Sequence, residues 1–360
     1  MKFGLDLLPD CQHTSKAAED YFDESLALTE IAESLGFESV KIVEHHFKSY
    51  GGYSPNALIF LASAAQRTRK LRLVSGCVLP AFSHPLKIAG ELAMVDVLSH
   101  GRLEAGFARA FLPHEFEAFQ VPMEESTIRF REGVDIVVNS WKNEVFSYEG
   151  ELYQFHGVTT LPRPIQRPHP PIWIAVINTA SSFEYAGRMG YNLMVVPYFA
   201  DFPDLKEKLN IYKEAYRKHG HGEASGDNMM MVLHMYCEPD GKSAKLRAQK
   251  YMEKYIQSFA DAATAWDSIT SSAYPGYTNM GHYLREFTYE RILNERRAAI
   301  GDPDSVRETI QYYKDYFGIN YLTLQVNFGE MEFELAKNSL ELFGHEVMTS
   351  FQENEVLRQG

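Results

Sequence analysis

Eight short apolar runs, each parted from the next by a segment of helical period, constrain this 360-residue chain more than any other feature. They fall at 2–8, 38–44, 71–78, 102–107, 171–177, 192–197, 229–236 and 319–326. The runs are near-continuous rather than alternating; Ile172-Trp173-Ile174-Ala175-Val176-Ile177 is one. That is the pattern of strands covered on both faces of a parallel sheet. Helical segments at about 17–35, 55–68, 85–99, 124–141, 180–189, 203–219, 242–257, 303–316 and 331–351 fill the intervals. Strand and helix in alternation predict βαβ units. Eight units predict an α/β protein built as a closed (β/α)8 TIM barrel, with a doubly wound open sheet as the competing arrangement. The whole of 1–360 reads as one barrel domain.

Two stretches break the alternation. Residues 143–170 hold Tyr148-Glu149-Gly150, His156-Gly157 and several prolines, the composition of a short hairpin followed by a stiffened connection. Residues 258–300, an insert before the last strand, are polar and aromatic, with Trp266, Tyr274-Pro275-Gly276-Tyr277, Tyr283 and Phe287. A connection of that length is either an active-site lid or an ordinary helical insertion, and composition leaves both open.

Charge and motifs exclude several functions. A net charge of −13 argues against a nucleic-acid binder, which draws its affinity from Lys and Arg on phosphates. No apolar run approaches a membrane span, and the Met1-Lys2-Phe3-Gly4 start lacks the features of a secretory leader, so the expected location is the cytoplasm. Cys11, Cys77 and Cys237 are odd in number and far apart, which suits neither a disulfide framework nor a zinc ribbon. There is no GxGxxG after the first strand, no P-loop and no GxSxG elbow.

In a barrel the chemistry gathers where strands end. The second strand runs into Glu44-His45-His46-Phe47, the fourth into Gly106-Phe107-Ala108-Arg109, and the fifth into Asn178-Thr179-Ala180-Ser181-Ser182 at a helix start. Hydroxyls and free amides at a helix N-terminus, with the planar donor fork of Arg109 beside them, form an anion site suited to phosphate. The alternative is simple capping by Ser or Thr with Arg109 in an ion pair. Successive side chains on a strand face opposite sides, so His45 and His46 do not chelate one ion and no metal site is expected. One of the two can face the barrel mouth. Ser75-Gly76 inside an apolar run suggests close backbone approach to a flat ligand, or a strained peptide.

These motifs, taken in order with Val78-Leu79-Pro80, His84-Pro85, Asp96 to Arg102, Pro170-Pro171-Ile172-Trp173, Gly301-Asp302-Pro303 and Leu342 to Met348, make the chain similar to bacterial luciferase and its relatives, the flavin-dependent luciferase-like monooxygenases. The resemblance runs along nearly the whole chain and is weakest over 258–300. It implies a (β/α)8 barrel that binds reduced FMN and oxidises a small organic substrate with dioxygen through a flavin peroxide. Arg109, Thr179, Ser181 and Ser182 would hold the flavin phosphate, with Asn178 and Ala180 in the same turn. Ser75-Gly76 falls where the family has a cis peptide beside the flavin ring. His45 matches the family's catalytic histidine, and Glu44 would orient it or close a hydrogen bond behind it. Since no nicotinamide fingerprint is present, reduced flavin would come from a separate NAD(P)H:flavin reductase. A homodimer through the 55–66 helix is also implied.

The chain departs from the best-known luciferase subunit at several points. Ala108 replaces a cysteine near the flavin, Asp6 replaces an aromatic residue in the first strand, and Thr127 replaces a second phosphate-binding arginine. Arg129 could substitute for that arginine, although a two-residue step on a helix changes face. Rival readings are a deazaflavin-dependent oxidoreductase, a flavin-binding protein without catalysis, and a hydrolase, which would want two carboxylates at strand ends. The aromatic insert and Met229-Met230-Met231 point to an apolar substrate pocket and no further.

Overall fold

Apolar runs buried on both faces need helices on the outside and a packed interior within, and a ring of parallel strands meets both demands. The computed structural model describes residues 1–198 and 200–351. Its strands are β1 Lys2–Leu7, β2 Ser39–Ile42, β3 Arg72–Ser75, β4 Leu103–Phe107, β5 Phe146–Glu149, β6 Gln154–Val158, β7 Ile172–Val176, β8 Asn192–Val195, β9 Met229–Cys237, β10 Ala298–Gly301 and β11 Tyr321–Gln325. Parallel pairing runs β11-β1-β2-β3-β4-β7-β8, and β9 joins β8 to β11 and closes the ring. The fold is the (β/α)8 barrel rather than the open sheet. β5 and β6 pair antiparallel as the expected hairpin outside it.

One strand lay outside expectation. β10 pairs with the end of β9, Ala298 opposite His234 through Gly301 opposite Cys237, beyond the stretch where β9 meets β8. The expected insert is also redrawn. The helix Gly241–Ala263 runs through its start, the helices Met280–Arg285 and Tyr289–Asn294 follow, and β10 ends it. At the chain's far end the helix Phe333–Leu342 continues into a π-helical stretch, Phe343–Met348.

Local chemistry sets the helix limits. Asn56, Asp201, Asp240 and Asp302 each accept a backbone amide from the first turn of the helix they precede. Gly36, Gly190 and Gly318 take the left-handed conformation at helix ends. Arg102 is buried where two helices meet β4. Its guanidinium donates to the carbonyls of Ser99, Leu71, Ala65 and Thr68 and to the Thr68 hydroxyl at 2.8–3.2 Å, so no donor is stranded.

The N-terminal end of the barrel is plugged. Glu104 accepts from Arg72 Nε and from Trp173 Nε1, both at 2.8 Å, and Tyr321 donates to Ser39 Oγ at 2.7 Å. The Trp173 and Tyr321 rings meet edge to face at 5.8 Å. Above them Val74, Cys77, Met194 and Met230 fill the axis. The open end is therefore the C-terminal one. Among the described residues no helix is long and apolar enough to cross a membrane.

Candidate active site

Two connected cavities occupy the C-terminal mouth. The larger, about 640 Å³, is lined by Asp6, Lys41, Glu44, His45, Gly76, Arg109, Asn178, Thr179 and Gln325 from strand ends, and by Tyr274 to Glu286 from the insert. The smaller, about 210 Å³, shares Arg109, Thr179 and Ser182 with it and adds Thr127, Arg131 and Ser181.

The smaller cavity is a cationic, hydroxyl-lined cup. Thr179 stands at the N-cap of the helix Ala180–Met189 but makes no side-chain cap bond. The capping alternative therefore does not describe this turn. Arg109 donates from Nη1 to Thr127 Oγ1 at 2.9 Å, and its guanidinium lies 4.1 Å from the centre of the Tyr274 ring. Among the described residues neither Arg109 nor Arg131 has a carboxylate within ion-pair distance. Two guanidiniums without a carboxylate partner, the hydroxyls of Thr127, Thr179, Ser181 and Ser182, and a helix N-terminus suit a phosphate.

The second arginine of this cup is Arg131, which the sequence reading missed. Arg129 is spent elsewhere, in an ion pair with Glu125 at 2.7 Å. Thr127 and Arg131 are four residues apart on the helix Ser126–Lys142 and share a face, whereas Arg129 is turned away. That spacing was the available signal. Two other expected contacts differ. Ala180 is exposed and lines neither cavity, so it brings only its amide, and the Asn178 side chain, though it lines the larger cavity, is held by Lys208.

Ser75 is the clearest correction. Its side chain is buried between strands, accepting from Gly106 N at 2.8 Å and donating to Gly106 O at 3.1 Å, and it does not line the cavity. Gly76 does, and the cis peptide is Gly76–Cys77, one bond later than the resemblance implied. A β-carbon on Gly76 would lie 2.5 Å from Lys41 Cγ, so the lysine stem passes directly over it.

The two histidines divide as strand geometry requires. His45 faces the cavity; His46 packs among Phe47, Phe82 and Phe119, with the Phe119 ring at 4.9 Å. The partner of His45 is Glu115, not Glu44. Glu115 Oε1 lies 3.1 Å from His45 Nδ1 and accepts His46 N at 2.8 Å. Burial would raise the Glu115 carboxyl, but His45 and the His46 amide hold it below the usual range. An ionised acceptor there assigns the Nδ1 proton to His45 and leaves Nε2 as the exchangeable nitrogen. Glu44 instead caps Ala57 N at 3.3 Å and sits 3.8 Å from His46 Nε2; burial raises its carboxyl against the pull of His46. Glu115 lies 70 positions from His45 on the short helix Pro113–Ala118, and nothing local marks it.

The insert is tied to the loop after β4. Trp266 Nε1 donates to Phe111 O at 3.0 Å, and Tyr274 Oη to Ala110 O at 2.8 Å. Ser271 and Ser272 donate to the two oxygens of Glu124 at 2.6 and 2.8 Å.

Comparison with known proteins shows the family and the fold. A family model described as luciferase-like monooxygenase matches residues 1–318. The chain is 28% identical over 361 residues to the oxygenase component of the flavin-dependent trigonelline monooxygenase of Acinetobacter baylyi, covering 100% of this chain and 98% of that one. It is 40% identical to monooxygenase RslO1 of Streptomyces bottropensis, whose crystal structure superposes with a TM-score of 0.87 over 98% of this chain and 100% of that one. The oxygenating constituent of 3,6-diketocamphane monooxygenase from Pseudomonas putida, solved in complex with FMN, superposes with a TM-score of 0.80 at 21% identity, covering 97% and 98% of the two chains.

Proposed function

The chain belongs to the luciferase-like monooxygenase family, and on that premise we propose that it is the oxygenase of a two-component system, taking reduced FMN from a separate NAD(P)H:flavin reductase. The observation that carries this is the convergence of a cationic cup and a carboxylate-held imidazole on one mouth. Arg109, Arg131, Thr179, Ser181 and Ser182 hold the phosphate. When bound, reduced FMN supplies the electrons that activate dioxygen.

The protein's own residues do the rest. His45, oriented by Glu115, holds or moves a proton at Nε2 beside the reacting centre. Tyr50, Phe111 and Tyr277 line the space around it and exclude water. Tyr274 to Glu286 act as the lid over the mouth. The helices Ala57–Arg67 and Pro85–Leu98 leave Ile59, Met94 and Leu98 exposed, a surface suited to a homodimer.

The test is calorimetric titration with FMN, followed by oxygen uptake with a flavin reductase and candidate substrates. Binding of FMN, and uptake lost in His45→Ala while FMN affinity is kept, is the expected result. Preference for a deazaflavin in the same titration, or normal turnover of the variant, refutes it.

A further inference from the structure

Deeper than His45 and Arg109, which lie on loops, the barrel wall carries polar residues where the axis below is apolar. Gln325, Asp6 and Lys41 are register partners on β11, β1 and β2, Asp6 lying between the other two. All three line the larger cavity, and all are buried. Lys41 Nζ is 2.7 Å from Asp6 Oδ1. Gln325 Oε1 accepts from Tyr198 Oη at 3.3 Å, while its Nε2, fully buried, has no hydrogen-bond partner among the described residues.

A buried amide donor without an acceptor costs free energy unless something arrives to accept from it. The charge beside it is already balanced, because Lys41 and Asp6 neutralise each other. A carboxylate or phosphate ligand would add an uncompensated buried charge, whereas an uncharged oxygen acceptor would not. The walls above are aromatic and flat. Tyr50 stacks on Phe259 with centroids 4.5 Å apart and planes 8° from parallel, and Phe111 meets Phe259 edge-on at 6.2 Å.

We propose that this chamber receives a flat, uncharged aromatic ketone whose carbonyl oxygen accepts from Gln325 Nε2 and Lys41 Nζ. The assignment rests on the monooxygenase reading above and supplies its substrate class. The aromatic body lies against the wall that Tyr50, Phe259 and Phe111 form, and the floor fixes which end of the molecule points down. Gln325 is a specificity-determining residue, and Asp6 keeps Lys41 neutralised.

The experiment compares 9-fluorenone with fluorene, which lacks the oxygen, and with fluorene-9-carboxylate, which adds a charge. Equilibrium dialysis against the wild-type protein, with and without saturating FMN, is expected to show fluorenone binding about tenfold or more tighter than either, the worth of one good hydrogen bond. Gln325→Leu should lose that preference and keep its FMN affinity. The infrared carbonyl band of fluorenone bound to the wild-type protein, which requires no variant to fold, should move to lower wavenumber than in hexane. Equal binding of fluorenone and fluorene, an unshifted carbonyl band, or tighter binding of the carboxylate overturns the proposal. So does a Gln325→Leu protein that loses FMN affinity with the ketone preference intact, since the amide would then serve the cofactor. A wild-type chain that takes up no FMN yet prefers fluorenone refutes the flavin reading and sustains the polar floor.

Discussion

Replacing each of three arginines by Met, in separate variants, separates the phosphate cup from its near neighbours on the same helix. Arg131 lines the 210 Å³ cavity without a carboxylate partner among the described residues, and under the proposed function a bound phosphate is the charge it would answer. A hydrogen bond between charged groups is worth about 1.5–3 kcal/mol, so Arg131→Met should weaken FMN binding by roughly 10- to 100-fold. Arg109 offers a planar fork braced by Thr127 and Tyr274, and its loss should cost at least as much. Arg129 spends its charge on Glu125 four residues earlier, a half-buried pair of the i,i+4 kind worth about 0.3–0.5 kcal/mol, so Arg129→Met should change FMN affinity by less than about threefold. Titrations of FMN and of riboflavin, which lacks the phosphate, provide the assay. All three variants should bind riboflavin as the wild-type chain does. Equal losses for FMN and riboflavin in Arg131→Met, or a loss in Arg129→Met that matches it, would refute the assignment.

Three further outcomes follow from particular contacts. Glu115→Gln removes the charge that accepts from His45 and His46, and should lower stability at pH 7 by about 1.5–3 kcal/mol. Because the folded carboxyl lies below its ordinary 4.5, its contribution is present above that pH and fades as pH falls through the folded value, so melting curves of variant and wild type should converge in acid. Asp10 has the opposite sign: burial lifts its carboxyl from 3.8 to about 7, so the fold favours the protonated form, and stability declines as pH rises from 3.8 towards 7. Asp10→Asn keeps an acceptor for Gly329 N and should be more stable than wild type at pH 8, by up to about 4 kcal/mol, with the gap narrowing below pH 7 and closing only near 3.8. A β-carbon on Gly106 would lie 2.0 Å from Ser75 O, whereas one on Gly90 meets nothing nearer than 3.7 Å. Gly106→Ala should therefore destabilise by about 1–3 kcal/mol or more, and Gly90→Ala, inside the helix Pro85–Leu98, should stabilise by roughly 0.5–1 kcal/mol in urea melts.

The eight barrel strands were legible because most of their positions are buried and each writes a largely apolar run; β9 is buried at all nine positions. β10 was not, because Ala298-Ala299-Ile300-Gly301 is short and small-sided, and its pairing depends on where β9 outruns β8. The hydroxyl turn at 179–182 could be read since its members are adjacent and begin a helix. Arg131 was recoverable from a four-residue step and was passed over for Arg129, which is nearer in sequence but on another face. Glu115 reaches His45 only through the packing of the helix Pro113–Ala118, and Lys41 meets Asp6 only through strand register. Contacts of that kind are properties of the assembled barrel.

Because Glu104, Arg72, Trp173 and Tyr321 stopper one end of the barrel, what enters the chamber and what leaves it share the opposite end. Traffic through it must queue. A guest seated on the Gln325 floor sits behind any flavin that spans from Arg109 toward Gly76, so the order of arrival is a matter of geometry, and a spent nucleotide that lingers would trap the product inside.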